Sequence, residues 1–170
     1  MKKMMFALAA GAMALSGATA ASADTFTPAG GTFGFSGTVA VSYTIPLTCT
    51  MTATVVSTAA GTDANITGAT LTGGLCAAVG FIGLPWNVDV LTPVAPPNGL
   101  PATTLKLKGV TARTVTGTVC GPDDIVVNWN PGPPATITIP LGTEINPPTP
   151  GCKVSGTLTQ VSGPPLVITN

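Results

Sequence analysis

The chain contains no histidine, a single tyrosine, and only six basic and six acidic residues in 170. Without histidine the commonest general base is missing, and with it the usual serine or cysteine triads. None of Lys106, Lys108 or Lys153 completes a Ser-x-x-Lys motif that could replace it. So little positive charge leaves no electrostatic footprint for nucleic acid. The four cysteines show no CxxC spacing, which argues against a metal centre, and no cofactor motif is present. After Leu15 no stretch is long and apolar enough to span a bilayer, so no membrane insertion is expected once the leader is removed. No segment reads as a capped amphipathic helix. Glycine lacks a three-residue period, which excludes collagen, and Val, Ile, Leu and Phe are too frequent for a disordered chain.

What the chain does have begins with a leader. Lys2 and Lys3 precede an apolar run from Met4 to Leu15, and Ala21, Ser22 and Ala23 stand before Asp24. A basic start, a short apolar core and an A-x-A site predict a Sec-type secretory signal peptide over residues 1–23. Cleavage after Ala23 is preferred, and cleavage after Ala20 fits the same rule. Removing residues 1–23 leaves 147 residues with four basic and six acidic side chains, a net charge near −2. The expected location is extracellular, at the surface or in the matrix of a Gram-negative type of cell. Cys49, Cys76, Cys120 and Cys152 all remain, an even number in an oxidising compartment, which predicts two disulfides. Three connectivities are possible, and Cys49–Cys76 with Cys120–Cys152 is favoured.

From Phe33 to Ile45 the odd positions read Phe33, Phe35, Gly37, Val39, Val41, Tyr43 and Ile45, while the even ones are small or polar. This period of two is that of a half-buried strand, and at about 3.3 Å per residue it would run roughly 40 Å. Gly37 suggests a bend or a close backbone approach, so two strands in series are expected. Further strands follow at Leu47–Val56, Asn65–Leu71, Leu84–Val90, Thr103–Val110, Thr111–Cys120, Ile125–Trp129, Ala135–Leu141, Lys153–Val161 and Leu166–Thr169. Between them lie Gly and Pro turns, including the proline-rich connector from Thr92 to Ala102. The runs Thr67–Cys76 and Thr111–Cys120 are similar in outline, as two hairpin sets with like roles would be. The fold class expected is all-β: a disulfide-stapled antiparallel β-sandwich, Ig-like or jelly-roll-like. Residues 24–36 form an N-terminal extended segment that can be donated between subunits, and 37–170 form the single sandwich domain.

Candidate sites are few. Asp89, Asp123, Asp124 and Glu144 could supply paired carboxyls for glycoside hydrolysis, and Asp123 with Asp124 could ligate calcium. Their spacing is not specific, and Gly121–Asp124 is itself a turn sequence, so no catalytic or metal-binding residue is assigned. Trp86 and Trp129, with Tyr43, could form a sugar-binding platform, although each lies on an apolar stripe that core packing would also explain. The sequon Asn65-Ile66-Thr67 has low specificity. Phe26, Phe33 and Phe35 are crowded at the mature N-terminus on a Gly, Ser and Thr background. A strand of that kind can complete another subunit's sheet, giving a homopolymer by strand addition; the alternative is that it folds back as the first strand of its own domain.

Several segments together resemble the secreted bacterial alkane-oxidation protein activators of the Pra family. They are the leader, Thr25-Phe26-Thr27-Pro28, Leu47-Thr48-Cys49, Ile66-Thr67-Gly68-Ala69-Thr70-Leu71 leading to Leu75-Cys76, Gly83-Leu84-Pro85-Trp86, and Cys152 through Leu158. The proline-rich connector and the Gly121–Asp124 turn stand outside this likeness. The resemblance implies a small extracellular protein associated with growth on hydrocarbons, adhesion and biofilm matrix, with no catalytic residues. The functional expectation is a secreted, non-enzymatic protein that self-assembles into extracellular fibres or matrix and meets hydrophobic surfaces or polysaccharide. The second reading is a monomeric binding module for carbohydrate or hydrocarbon.

Overall fold

A computed structural model describes residues 24–93 and 97–170; the expected signal peptide, 1–23, lies outside them. Eleven strands follow one another: β1 Thr25–Thr27, β2 Thr32–Ser42, β3 Pro46–Ser57, β4 Ala64–Thr72, β5 Gly80–Ile82, β6 Trp86–Thr92, β7 Thr104–Arg113, β8 Val119–Asn130, β9 Thr136–Ile145, β10 Cys152–Ser162 and β11 Val167–Thr169. A short 3-10 helix, Gly74–Ala78, precedes β5.

The expected sandwich is not formed. Eight strands pair antiparallel in the cyclic order β2, β3, β4, β6, β7, β8, β9, β10, and β10 returns to β2, so one sheet closes into a barrel. Period-two patterning places one face inward in a sandwich and in a barrel alike, and cannot tell them apart. Strand length discriminates better. Barrel strands are tilted by about 35–45° and need more residues to cross the wall. β2, β3, β8 and β10 run to 11 or 12 residues, so the long pattern after Thr32 is one continuous wall strand and not two in series. Gly37 marks a close approach: a Cβ there would stand 2.0 Å from the Thr157 carbonyl oxygen on β10.

The interior is largely apolar. Phe33, Phe35 and Val39 of β2, Met51 and Val55 of β3, Ile66 and Leu71 of β4, Trp86 and Val88 of β6, Leu105 and Leu107 of β7, and Ile125, Val127 and Trp129 of β8 are all buried. The exterior is a lattice of hydroxyls. Asn128, Thr138, Thr157, Thr38, Thr50 and Thr72 stand side by side across six strands, and Asn130, Thr136, Thr159, Ser36, Thr52 and Thr70 form the next row. Thr52 and Thr70 share a 2.6 Å hydrogen bond, as do Thr138 and Thr157 at 3.1 Å. A transmembrane barrel carries its apolar band outside, the reverse of this order. Most of the charge is gathered on the opposite wall, on β6, β7 and β8, where Lys108 pairs with Asp89.

One end of the barrel is closed by the first and last of the described strands. β1 pairs with β11 through Phe26 and Ile168, and Phe26, Leu166 and Ile168 are buried over that end. Backbone bonds from Phe26 N to Gly61 O at 2.7 Å and from Gly30 N to Thr58 O at 2.7 Å lock the ribbon to the β3–β4 loop. The Asn170 side chain donates to Pro93 and Pro97 carbonyls and accepts from Leu100 N. Residues 24–36 are therefore part of the barrel and its plug, paired within their own chain.

Candidate functional site: the disulfide end of the barrel

The opposite end is built from the β2–β3 turn, the 3-10 helix with β5, the β7–β8 turn, and the ends of β9 and β10. Both disulfides lie here. Cys49–Cys76, with Cα atoms 5.7 Å apart, fastens the 3-10 helix to β3. Cys120–Cys152, with Cα atoms 5.9 Å apart, ties β8 to β10 across β9. These are the pairings favoured from the spacing, and two closed bridges suit an oxidising compartment. The β7–β8 turn is stiffened by its own threonines: Thr114 N donates to Thr118 O at 2.8 Å, and Thr118 N donates to Thr114 Oγ1 at 3.1 Å.

Between the two turns lies a cleft with a shielded volume of about 40 Å³. Its walls are largely apolar, with Val41, Ile45, Leu47, Val79, Phe81 and Val154 among them, and Arg113 and Lys153 supply its two cations. Among the described residues no carboxylate lines it. Phe81 and Val154 also line a second cavity of about 20 Å³, with Met51, Trp86 and Ile139. The lip is exposed: Ile45 is 50% accessible, with Tyr43 and Val115 beside the same cleft, and Leu75 of the 3-10 helix, outside the cleft lining, is 57% accessible. Leu141, on a bulge where β9 loses register with β10, is 94% accessible. Monomeric soluble proteins seldom cluster apolar side chains this way without a use for them.

The residues singled out from sequence are distributed otherwise. Trp86 is buried, donates from Nε1 to Ile82 O at 3.2 Å, and meets Phe81 edge-on. Trp129 is buried at the other end, edge-on to Phe35 with centroids 6.1 Å apart. The two indoles share no surface, and neither presents a face to solvent; only Tyr43 of the three aromatic candidates reaches the lip. Phe26, Phe33 and Phe35 are all interior. The acids are engaged locally. Asp123 accepts from Asn146 N and Asp124 N, both at 2.8 Å, Asp124 accepts from Gly109 N at 3.1 Å, and Glu144 pairs with Lys153 at 3.5 Å. Asp24 accepts from Val90 N at 2.8 Å, and burial, reinforced by Asp89 and Asp63, holds its carboxyl above the usual range although the Val90 bond opposes this.

The apolar lip was not legible from sequence. Tyr43 and Ile45 continue the alternation of β2 and read as wall residues, and only the turn before Pro46 turns them outward.

Against this geometry the comparison with protein families decides the kinship. The family model described as alkane oxidation protein activator, PraA/PraB-like, matches residues 1–169. The chain belongs to this family. Its description is that of an activator of hydrocarbon oxidation, which is the coarse function that membership carries. Neither a curated protein nor a solved structure matches the chain.

Proposed function

We propose that this PraA/PraB-like chain is an exported, non-catalytic barrel that adsorbs to apolar surfaces through its disulfide end and supports growth on hydrocarbons by contact with them. The observation that carries this reading is the placement of Tyr43, Ile45 and Val115, all exposed, around one cleft, on turns near two disulfides and a threonine network. Burying such side chains against an alkane returns about 25 cal/mol per Å² of apolar surface. The rest of the surface, hydroxyl-rich on one wall and charged on the β6–β8 wall, stays hydrated, so the molecule is amphipathic along the barrel axis.

Strand addition is less well supported. A closed barrel removes the long unpaired edges that such addition uses, and β1 and β2 would have to leave a core that holds Phe26, Phe33 and Phe35.

The test is depletion of the purified protein, residues 24–170 and oxidised, by hexadecane droplets. The native chain is expected to partition to the droplets. A variant with Ile45→Asp and Val115→Asp is expected to remain in solution with an unchanged melting temperature. Equal depletion of the two would overturn the reading.

A further inference from the structure

The cleft is not uniformly greasy, and its cations are not equivalent. Lys153 is paired with Glu144 at 3.5 Å, whereas Arg113 takes part in neither of the two ion pairs found among the described residues. Arg113 is the last residue of β7, exposed, with its side chain on the lip of an apolar cleft that, among the described residues, holds no carboxylate. A free guanidinium beside an apolar wall is complementary to an amphiphile with an anionic, planar head, which it can grip with two parallel N–H donors. A neutral alkane makes no use of it.

The floor of the cleft suggests where a chain would run. Phe81 and Val154 line both the cleft and the second cavity, and both spaces are small, about 40 and 20 Å³. Phe81 sits on β5, which is only three residues long and pairs with β7 alone. Gly80 and Gly83 flank this strand and its following turn, and a Cβ at Gly80 would meet nothing within 4 Å. Rotation of one ring, on a short strand outside the eight of the barrel, would join the two spaces along an apolar track past Trp86.

From this we infer that the cleft is a binding site for a single long-chain carboxylate, its head on Arg113 and its chain along Ile45, Leu47 and Val154 towards Phe81. The inference rests on the adsorption reading, because the same lip meets bulk hydrocarbon, and it names a ligand that this reading does not require. Terminal oxidation of an alkane ends in this class of compound. The site would thus recognise the product of the chemistry as well as the starting material.

The test is calorimetric titration of the oxidised protein, residues 24–170, with laurate below its micelle concentration and with 1-dodecanol. Laurate is expected to bind. Arg113→Gln is expected to weaken it at least tenfold while leaving the weaker binding of dodecanol unchanged. Lys106→Gln, on the outer face of the same strand, is expected to alter neither. Laurate bound equally by the native and Arg113→Gln proteins would overturn the assignment. So would absence of laurate binding in protein that still adsorbs to hexadecane, and that outcome leaves the adsorption reading standing. Loss of both would remove both.

Discussion

Phe81 stands edge-on to Trp86, ring centroids 5.2 Å apart and planes at 90°, and this contact joins the half-exposed cleft to the buried interior of the barrel. The indole is 2% accessible and fixed by its bond to Ile82 O, so the movable partner of the pair is the phenyl ring. Phe81→Ala is expected to let water and quenchers reach Trp86. The emission should shift to the red and acrylamide quenching should rise, with the contribution of Trp129, at the far end, unaltered. Unchanged quenching would show that Phe81 does not shield the indole.

The two disulfides each close a loop of about 30 residues, with sequence separations of 27 and 32. In the chain-entropy account each contributes about 3–4 kcal/mol. Replacing Cys120 and Cys152 together by Ala is expected to lower the urea midpoint by roughly 1 to 3 M. Replacing Cys49 and Cys76 likewise should in addition free the 3-10 helix, seen as faster amide exchange at Leu75 and Ala77.

Gly37 faces the β10 backbone with no room for a side chain. Gly37→Val is expected to cost about 3 kcal/mol or more by forcing β2 from β10, read as loss of soluble protein or of the cooperative melt. A melting temperature close to native would contradict the pairing of Gly37 with Leu158 across these two strands.

Asp24 gives a pH dependence of defined sign. Its carboxyl is raised in the folded state above the ordinary 3.8, first by burial, so the folded chain holds its proton more tightly than the unfolded chain does. Stability therefore falls as pH rises from that value through the raised one. Asp24→Asn removes the charge and keeps an acceptor for Val90 N. The variant is expected to melt higher than native at pH 7 and to match it below about pH 3.8, where both are neutral. The comparison is made with two or three residues placed ahead of position 24, so that an α-ammonium does not sit beside the carboxyl. A native protein more stable at pH 7 than at pH 4, with the difference removed by the substitution, would contradict the sign.

Most strands and the disulfides were legible because each is a local or pairwise matter, but the expected strand Thr111–Cys120 is broken by the β7–β8 turn, and the expected turn Gly121–Asp124 lies within β8. Alternation at Phe33–Val41 reports one buried face, and four cysteines without CxxC spacing, behind an expected leader, report two bridges. Closure was not legible, since it rests on β2 finding β10 and β7 finding β8, and alternating side chains carry no mark of which edge a strand will meet. Phe26, Phe33 and Phe35 show the cost of that gap: crowded aromatics near a terminus suit a donated strand, yet they fill the barrel and the plug of their own chain. The proline connector from Thr92 hid another feature, for the described part of it is gathered by Asn170, some seventy residues away.

The central claim is that the disulfide end meets the hydrocarbon. Amide hydrogen exchange of the oxidised protein, free and bound to hexadecane droplets, tests it most directly. The account predicts that droplets protect residues 43–45, 74–82 and 114–118 and leave the hydroxyl rows and residues 24–36 unchanged. Protection confined to residues 24–36 and their partners, or spread evenly over the wall strands, would contradict it.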